Sequence, residues 1–162
     1  MNTFALILIL FVLPSCSTLD ISQFNGPIIL PLTSTCCDTT VSSDASFFYC
    51  SSNSAAEILV FKNSGHGFEP FETIHIPTRS CYLAIDEKEE RLLYQASNRI
   101  CVLERHNGTY QSVMQINGSS YFRRTLVVDE FIVTGLGNGK INFYHRLDYG
   151  LARTLIAGSS SI

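Results

Sequence analysis

The stretch ICVLERHNGTYQSVMQI, residues 100–116, opens on an apolar run, turns through His106-Asn107-Gly108-Thr109, and returns to a second run ending in isoleucine. Short apolar or alternating runs are the mark of strands, and Asn-Gly between two of them marks a tight hairpin. The same order recurs as ILVFKNSGHGFEPFETI at 58–74 and INFYHRLDYGLARTLI at 141–156, with starts 42 and 41 residues apart. Upstream of each segment lie a strand-like run, an aspartate turn (Asp44, Asp86, Asp129), a second run, and an asparagine turn (Asn53, Asn98, Asn138). Those second runs are SFFYCSS, RLLYQAS and FIVTGLG. Four short strands in each period of roughly 40–45 residues predict the blades of a β-propeller.

This periodicity decides how the glycine-rich GLGNGKINFYHR, residues 135–146, is read. A phosphate-cradling loop needs a helix directly after its glycines, so that the helix N-terminus meets the phosphate. Here Ile141-Asn142-Phe143-Tyr144 alternates as a strand, so Asn138-Gly139 is a hairpin turn between two strands of one blade. Beyond residue 20 no window sustains helical spacing. The chain is therefore expected to be all-β: a partial propeller of about three four-stranded antiparallel blades with a period of 41–42 residues, at about 36–76, 77–118 and 119–158. Residues 18–35 form an N-terminal strand or linker before the propeller segment 36–162, with PIILPLTS (27–34) a candidate for the last strand of an earlier blade or for closing a ring.

The segment KINFYHRLDYGLARTLI (140–156), followed by AGSSSI, resembles the end of a WD40 blade leading into the next one, and the resemblance extends over 36–162. The WD dipeptide is absent. Lys62-Asn63, Glu104-Arg105 and His145-Arg146 stand in its place, Ala157-Gly158-Ser159 stands where a Gly-His pair is usual, and asparagine replaces the usual aspartate in the turn before the third strand. The family's Asp-His-Ser-Trp network is therefore not carried over. What the resemblance implies is a non-catalytic scaffold for protein–protein interaction. Three blades cannot close a ring of about four to eight. The chain accordingly reads as an incomplete propeller or a fragment, or as one half of a six-bladed ring completed by a second copy. The alternative function is a secreted propeller that binds a glycan or small ligand, or a propeller enzyme.

Composition bounds the function classes. With 15% charged residues, 46% hydrophobic residues and a net charge of −3, the chain has neither a disordered nor a polyanion-coating composition, and nucleic acid is not an expected partner. The apolar run Phe4–Leu13 is too short to span a bilayer, which takes about 20 residues. Closed by Pro14 and small residues, it fits the core of a secretory signal over residues 1–17, although no Lys or Arg precedes it. Secretion is the expected destination; the alternative is a cytoplasmic chain in which this run is a buried strand. Removal of residues 1–17 would leave five cysteines, an odd number, with no CxxC pair and no zinc-like spacing.

Candidate sites are few. Arg79, Arg99, Arg123 and Lys140 fall in inter-blade links or beside second-to-third-strand turns, which share one end of a blade, and so form a basic set suited to an acidic protein partner. Asn107-Gly108-Thr109 and Asn117-Gly118-Ser119 are glycosylation sequons. Cys37 and Cys50 flank the Asp44 turn and are a candidate disulfide, set against two buried thiols. The acidic DEKEE (86–90) lacks the spacing of a calcium loop and reads as a solvated turn. His66, His75, His106 and His145 are scattered, and no nucleophile signature accompanies them. No catalytic residue, metal site or cofactor is expected.

Overall fold

A computed structural model describes residues 36–52, 55–80, 82–88 and 90–156. The secretory segment 1–17, the linker 18–35 with PIILPLTS, and Ala157-Gly158-Ser159 lie outside these residues. The described residues form twelve strands and no helix. They are β1 (Cys36–Val41), β2 (Phe47–Ser52), β3 (Glu57–Asn63), β4 (Phe68–His75), β5 (Tyr82–Asp86), β6 (Arg91–Ala96), β7 (Arg99–His106), β8 (Thr109–Asn117), β9 (Phe122–Val128), β10 (Phe131–Leu136), β11 (Lys140–His145) and β12 (Leu151–Ile156). Each run of four forms one antiparallel sheet in the order of the chain. The first strands β1, β5 and β9 lie next to one another, and the fourth strands are the exposed outer edges. Three four-stranded blades, repeating as the sequence repeats, stack around an inner row of strands.

The core lies between the blades, not within them. A blade is a single sheet, so each face must be covered by its neighbour. Alternation decides which residue goes to which side. In β5 and β6, Leu83, Leu92 and Tyr94 face the first blade, packing with Tyr49, Ile58, Val60 and Ile74. Ala84 and Leu93 face the third blade, packing with Phe122, Ile132, Leu136 and Tyr144. The middle strands of the second blade are therefore apolar on both faces, which explains the unbroken burial of β6. Burial pushes the Tyr94 hydroxyl above the usual tyrosine range, and its contact with Cys101 adds to the rise.

The turns match the residues that build them. Asp44 caps the β1–β2 turn by accepting from the Ser46 and Ser42 hydroxyls at 2.6 and 2.7 Å. At the β10–β11 turn Gly139 carries the positive φ, 77°, while the Asn138 side chain accepts from the Lys140 N–H.

Candidate interaction face

The alternation of strands sorts the connections to two ends. Inter-blade links and second-to-third-strand turns emerge at one end and are tied together there. Ile76 N–H donates to Ala56 O at 2.9 Å, Gly118 N–H to Asn98 O at 2.8 Å, and Gly137 N–H to Tyr121 O at 2.8 Å. Arg79 lies in the first link, Arg99 opens β7, Arg123 follows the second link, and Lys140 opens β11; all four are exposed. The structure thus brings the four predicted basic residues to one end. Arg123 sits in a bulge of β9, where it and Arg124 oppose Gly135; a Cβ added to Gly135 would lie 3.8 Å from that of Arg123. The acids nearest this end, Asp38 and Glu57, are half-buried, and Asp38 accepts the Leu83 N–H at 2.8 Å.

Sequence reasoning missed Tyr121. It is 50% exposed in the link between β8 and β9. Its ring lies against the β10–β11 turn, where a side chain on Gly137 would come within 3.0 Å of it. Large exposed aromatic rings are a residue type enriched at interfaces. The signal was present as a Tyr following the second sequon, but nothing in the sequence said that the ring stays out of the core.

The opposite end is acidic at its surface, with Asp44, Glu87, Glu90, Asp129, Glu130 and Asp148 exposed. Beneath them arginines join the blades. Arg146 reaches from the third blade to Asp86 of the second at 3.5 Å, with both side chains almost fully buried. Asp86 is therefore not the solvated turn residue expected of DEKEE. Arg91 pairs with Glu104 at 2.6 Å, donates to Arg146 O at 3.4 Å, and lies 5.5 Å over the Tyr149 ring. Arg105 of the second blade pairs with Glu72 of the first at 3.3 Å and lies over the rings of Phe47, Phe71 and Tyr110. Tyr110 also hydrogen-bonds Tyr49 at 3.0 Å; burial, followed by this contact, raises the Tyr49 hydroxyl above the usual range.

The remaining candidates separate. Cys50 is bonded to Cys36, not to Cys37, with Cα atoms 5.9 Å apart. The register explains the correction: a bulge between Cys36 and Asp38 makes Cys37 the extra, exposed residue, while Cys36 faces Ser52 and so shares the face of Cys50 two residues away. The sequons occupy opposite ends. Asn107 is exposed at the tip of the β7–β8 hairpin with φ 51°, and Asn117 is exposed opposite Arg99 on the basic end. His66 is exposed between Gly65 and Gly67, His106 lies 3.3 Å from Glu104, and His145 stacks on Phe131. Among the described residues no three His, Cys, Asp or Glu side chains group as metal ligands.

No protein-family model matches the chain, and no curated protein matches it. Solved structures do. The RRP9 WD40 repeats match with a TM-score of 0.65 and 11% identity over 80% of this chain and 41% of that one. U3-55K matches with a TM-score of 0.67 and 11% identity over 82% and 42%. Hydrazine synthase of Kuenenia stuttgartiensis matches with a TM-score of 0.63 and 12% identity over 78% and 38%. The chain spans about two fifths of the length of these structures. At such identities the likeness is one of architecture: a partial WD40-like propeller of three blades.

Proposed function

We propose that this chain is a non-catalytic protein-interaction scaffold that engages an acidic protein surface through the end carrying Arg79, Arg99, Arg123 and Lys140. The observation behind this reading is where the exposed acids lie, since exposed cations occur at both ends, with Lys62 and Lys88 among the acids. Among the described residues the end carrying Arg79 exposes basic side chains, with Tyr121 among them, and no exposed acid, whereas the exposed carboxylates gather at the opposite end. A one-sign field on part of an overall acidic chain steers a partner of the other sign and fixes its orientation. Fluorescence anisotropy with an Asp/Glu-rich peptide tests it. The intact chain should bind and lose affinity as salt rises, and reversing Arg99 and Lys140 to Glu should abolish the signal. Equal binding by the charge-reversed chain would sink the proposal.

Secretion belongs to the same reading. With residues 1–17 as signal, Asn107 and Asn117 would meet the glycosylation machinery as exposed acceptors. A glycan on Asn117, opposite Arg99 in the β7–β8 ladder, would crowd the basic end, whereas one on Asn107 would not. Peptide binding by the secreted chain should therefore rise on Asn117→Gln and stay level on Asn107→Gln. No change in mobility after enzymatic deglycosylation would remove this part of the proposal.

A further inference from the structure

Asn-Gly pairs occur in the chain at 25–26, 107–108, 117–118 and 138–139. The first lies outside the described residues. An asparagine followed by glycine is open to attack by its own backbone. The glycine nitrogen adds to the asparagine side-chain carbonyl carbon, an approach that a side chain on the following residue would crowd and glycine leaves clear. The attacking N–H must first be released from any acceptor, and the asparagine side chain must be free to swing over it. These two conditions separate the three described pairs.

At Asn117-Gly118 the Gly118 N–H donates to Asn98 O at 2.8 Å, and Asn117 is held in the β7–β8 ladder opposite Arg99. At Asn138-Gly139 both groups are engaged. Gly139 N–H donates to Leu136 O at 3.1 Å, and the Asn138 side-chain oxygen accepts the Lys140 N–H at 3.3 Å. At Asn107-Gly108 neither group is. His106 pairs with Thr109 and leaves Asn107 and Gly108 as an exposed two-residue loop. Among the described residues nothing accepts the Gly108 N–H or bonds the Asn107 side chain. A Cβ on Gly108 would meet nothing within 4 Å, so the loop has room to turn about Asn107.

We propose that Asn107 is a deamidation site, where a modification accumulates as the chain ages. Gly108 N bonds to Asn107 Cγ, the Cγ–Nδ2 bond breaks, and the departing nitrogen takes up the Gly108 proton and leaves as ammonia. Water then opens the succinimide ring. Attack at Cγ restores the ordinary backbone with aspartate at 107; attack at the Asn107 main-chain carbonyl carbon leaves Gly108 joined through Cγ, an isoaspartyl link. Both products add a negative charge to the acidic end and abolish the sequon, since a glycan is carried on the amide nitrogen. The isoaspartyl link also lengthens the main chain next to Gly108 O, which accepts from Arg105 Nε at 3.1 Å. Arg105 is the brace to Glu72 of the first blade, so the modification bears on the contact between blades. The inference goes beyond the proposed function and does not depend on it.

The full chain, made in a host that adds no glycans, is incubated in mildly alkaline buffer, and the amide-to-acid conversion of each Asn-Gly peptide is followed by mass spectrometry. The Asn107 peptide should convert first, about two- to tenfold faster than those of Asn117 and Asn138, which must break a hydrogen bond before the attack. Its product should take up a labelled methyl group from an isoaspartyl methyltransferase. The same incubation in urea separates structure from sequence, because unfolding releases all three glycine N–H groups and should bring the three rates together. Conversion of Asn117 or Asn138 as fast as Asn107 in the folded chain, the same ranking in urea, or an Asn107 that does not convert would each overturn the proposal.

Discussion

Arg105 and Arg146 hold the same position in successive blades, the second member of the pair where WD40 blades carry Trp-Asp, and each reaches back to the preceding blade. Arg105 works partly exposed, over three aromatic rings, while Arg146 is buried against Asp86. Removing one member of a buried pair strands the other charge and costs about 3–5 kcal/mol, whereas an apolar pair of similar volume is close to neutral. Asp86→Ala should therefore lower the urea midpoint sharply, and Asp86→Leu with Arg146→Met should recover most of the loss. The sequence marked these positions as a repeat, but it could not say that the missing dipeptide is replaced by arginine braces, because a brace is defined by what it reaches. Asp44 gives the opposite case. The Ser46 hydroxyl, then the Ser46 N–H and the Ser42 hydroxyl, hold its carboxyl below the ordinary 3.8. A lowered folded value means that the stabilisation is present above the unfolded value and lost as pH falls through the folded one. Asp44→Ala should thus cost less than about 1 kcal/mol at neutral pH, this being an exposed site, and the difference from the parent should vanish in acid.

Among the elements, β1 and the β8–β9 link each turn on a single residue, Cys37 in a bulge and Gly118 against Phe122. The four strands of each blade were legible in the sequence, since period and turn chemistry are local, whereas Asp86, expected in a turn, closes β5 and is buried. The disulfide was misread because it depends on a one-residue bulge, and a bulge moves every following side chain to the other face. Cys37→Ser should leave the bridge formed and Cys36→Ser should abolish it, as read by free-thiol labelling of the denatured chain. The bridge closes a loop with a sequence separation of 14, so its loss should cost about 3 kcal/mol in the chain-entropy account. In the β8–β9 link, a Cβ on Gly118 would come within 2.6 Å of the buried Phe122 ring. Gly118→Ala should push Phe122 out of the packing between the second and third blades and cost about 1–3 kcal/mol, although it leaves the sequon intact. A midpoint within error of the parent would show that the link can shift aside.

For the whole molecule, the arrangement of cores predicts a gradient of stability along the stack. In a row of repeats each unit draws its stability from the neighbours it touches. The second blade contributes to both large inter-blade clusters, the first blade to one of these and to a small cluster of its own, and the third to one only. Local opening should follow the same order. Amide hydrogen exchange should be slowest in β6 and β7, whose apolar residues are covered on both faces, and faster in the matching strands β10 and β11. The outer strand β12 should exchange fastest among the described strands, being exposed along most of its length with one neighbour to bond. The prediction is specific because the three blades share strand order and β6 and β10 are both six residues long, so strand length alone would give these two equal protection. Equal protection of β6 and β10 would mean that the third blade is covered on its second face in solution. Repeating the exchange on a Val128→Lys chain, whose substitution lies opposite Phe131 on the outward face of the third blade and is 48% exposed, then decides the cause: a protection that drops in β10 and β11 but not in β6 places the cover on that face.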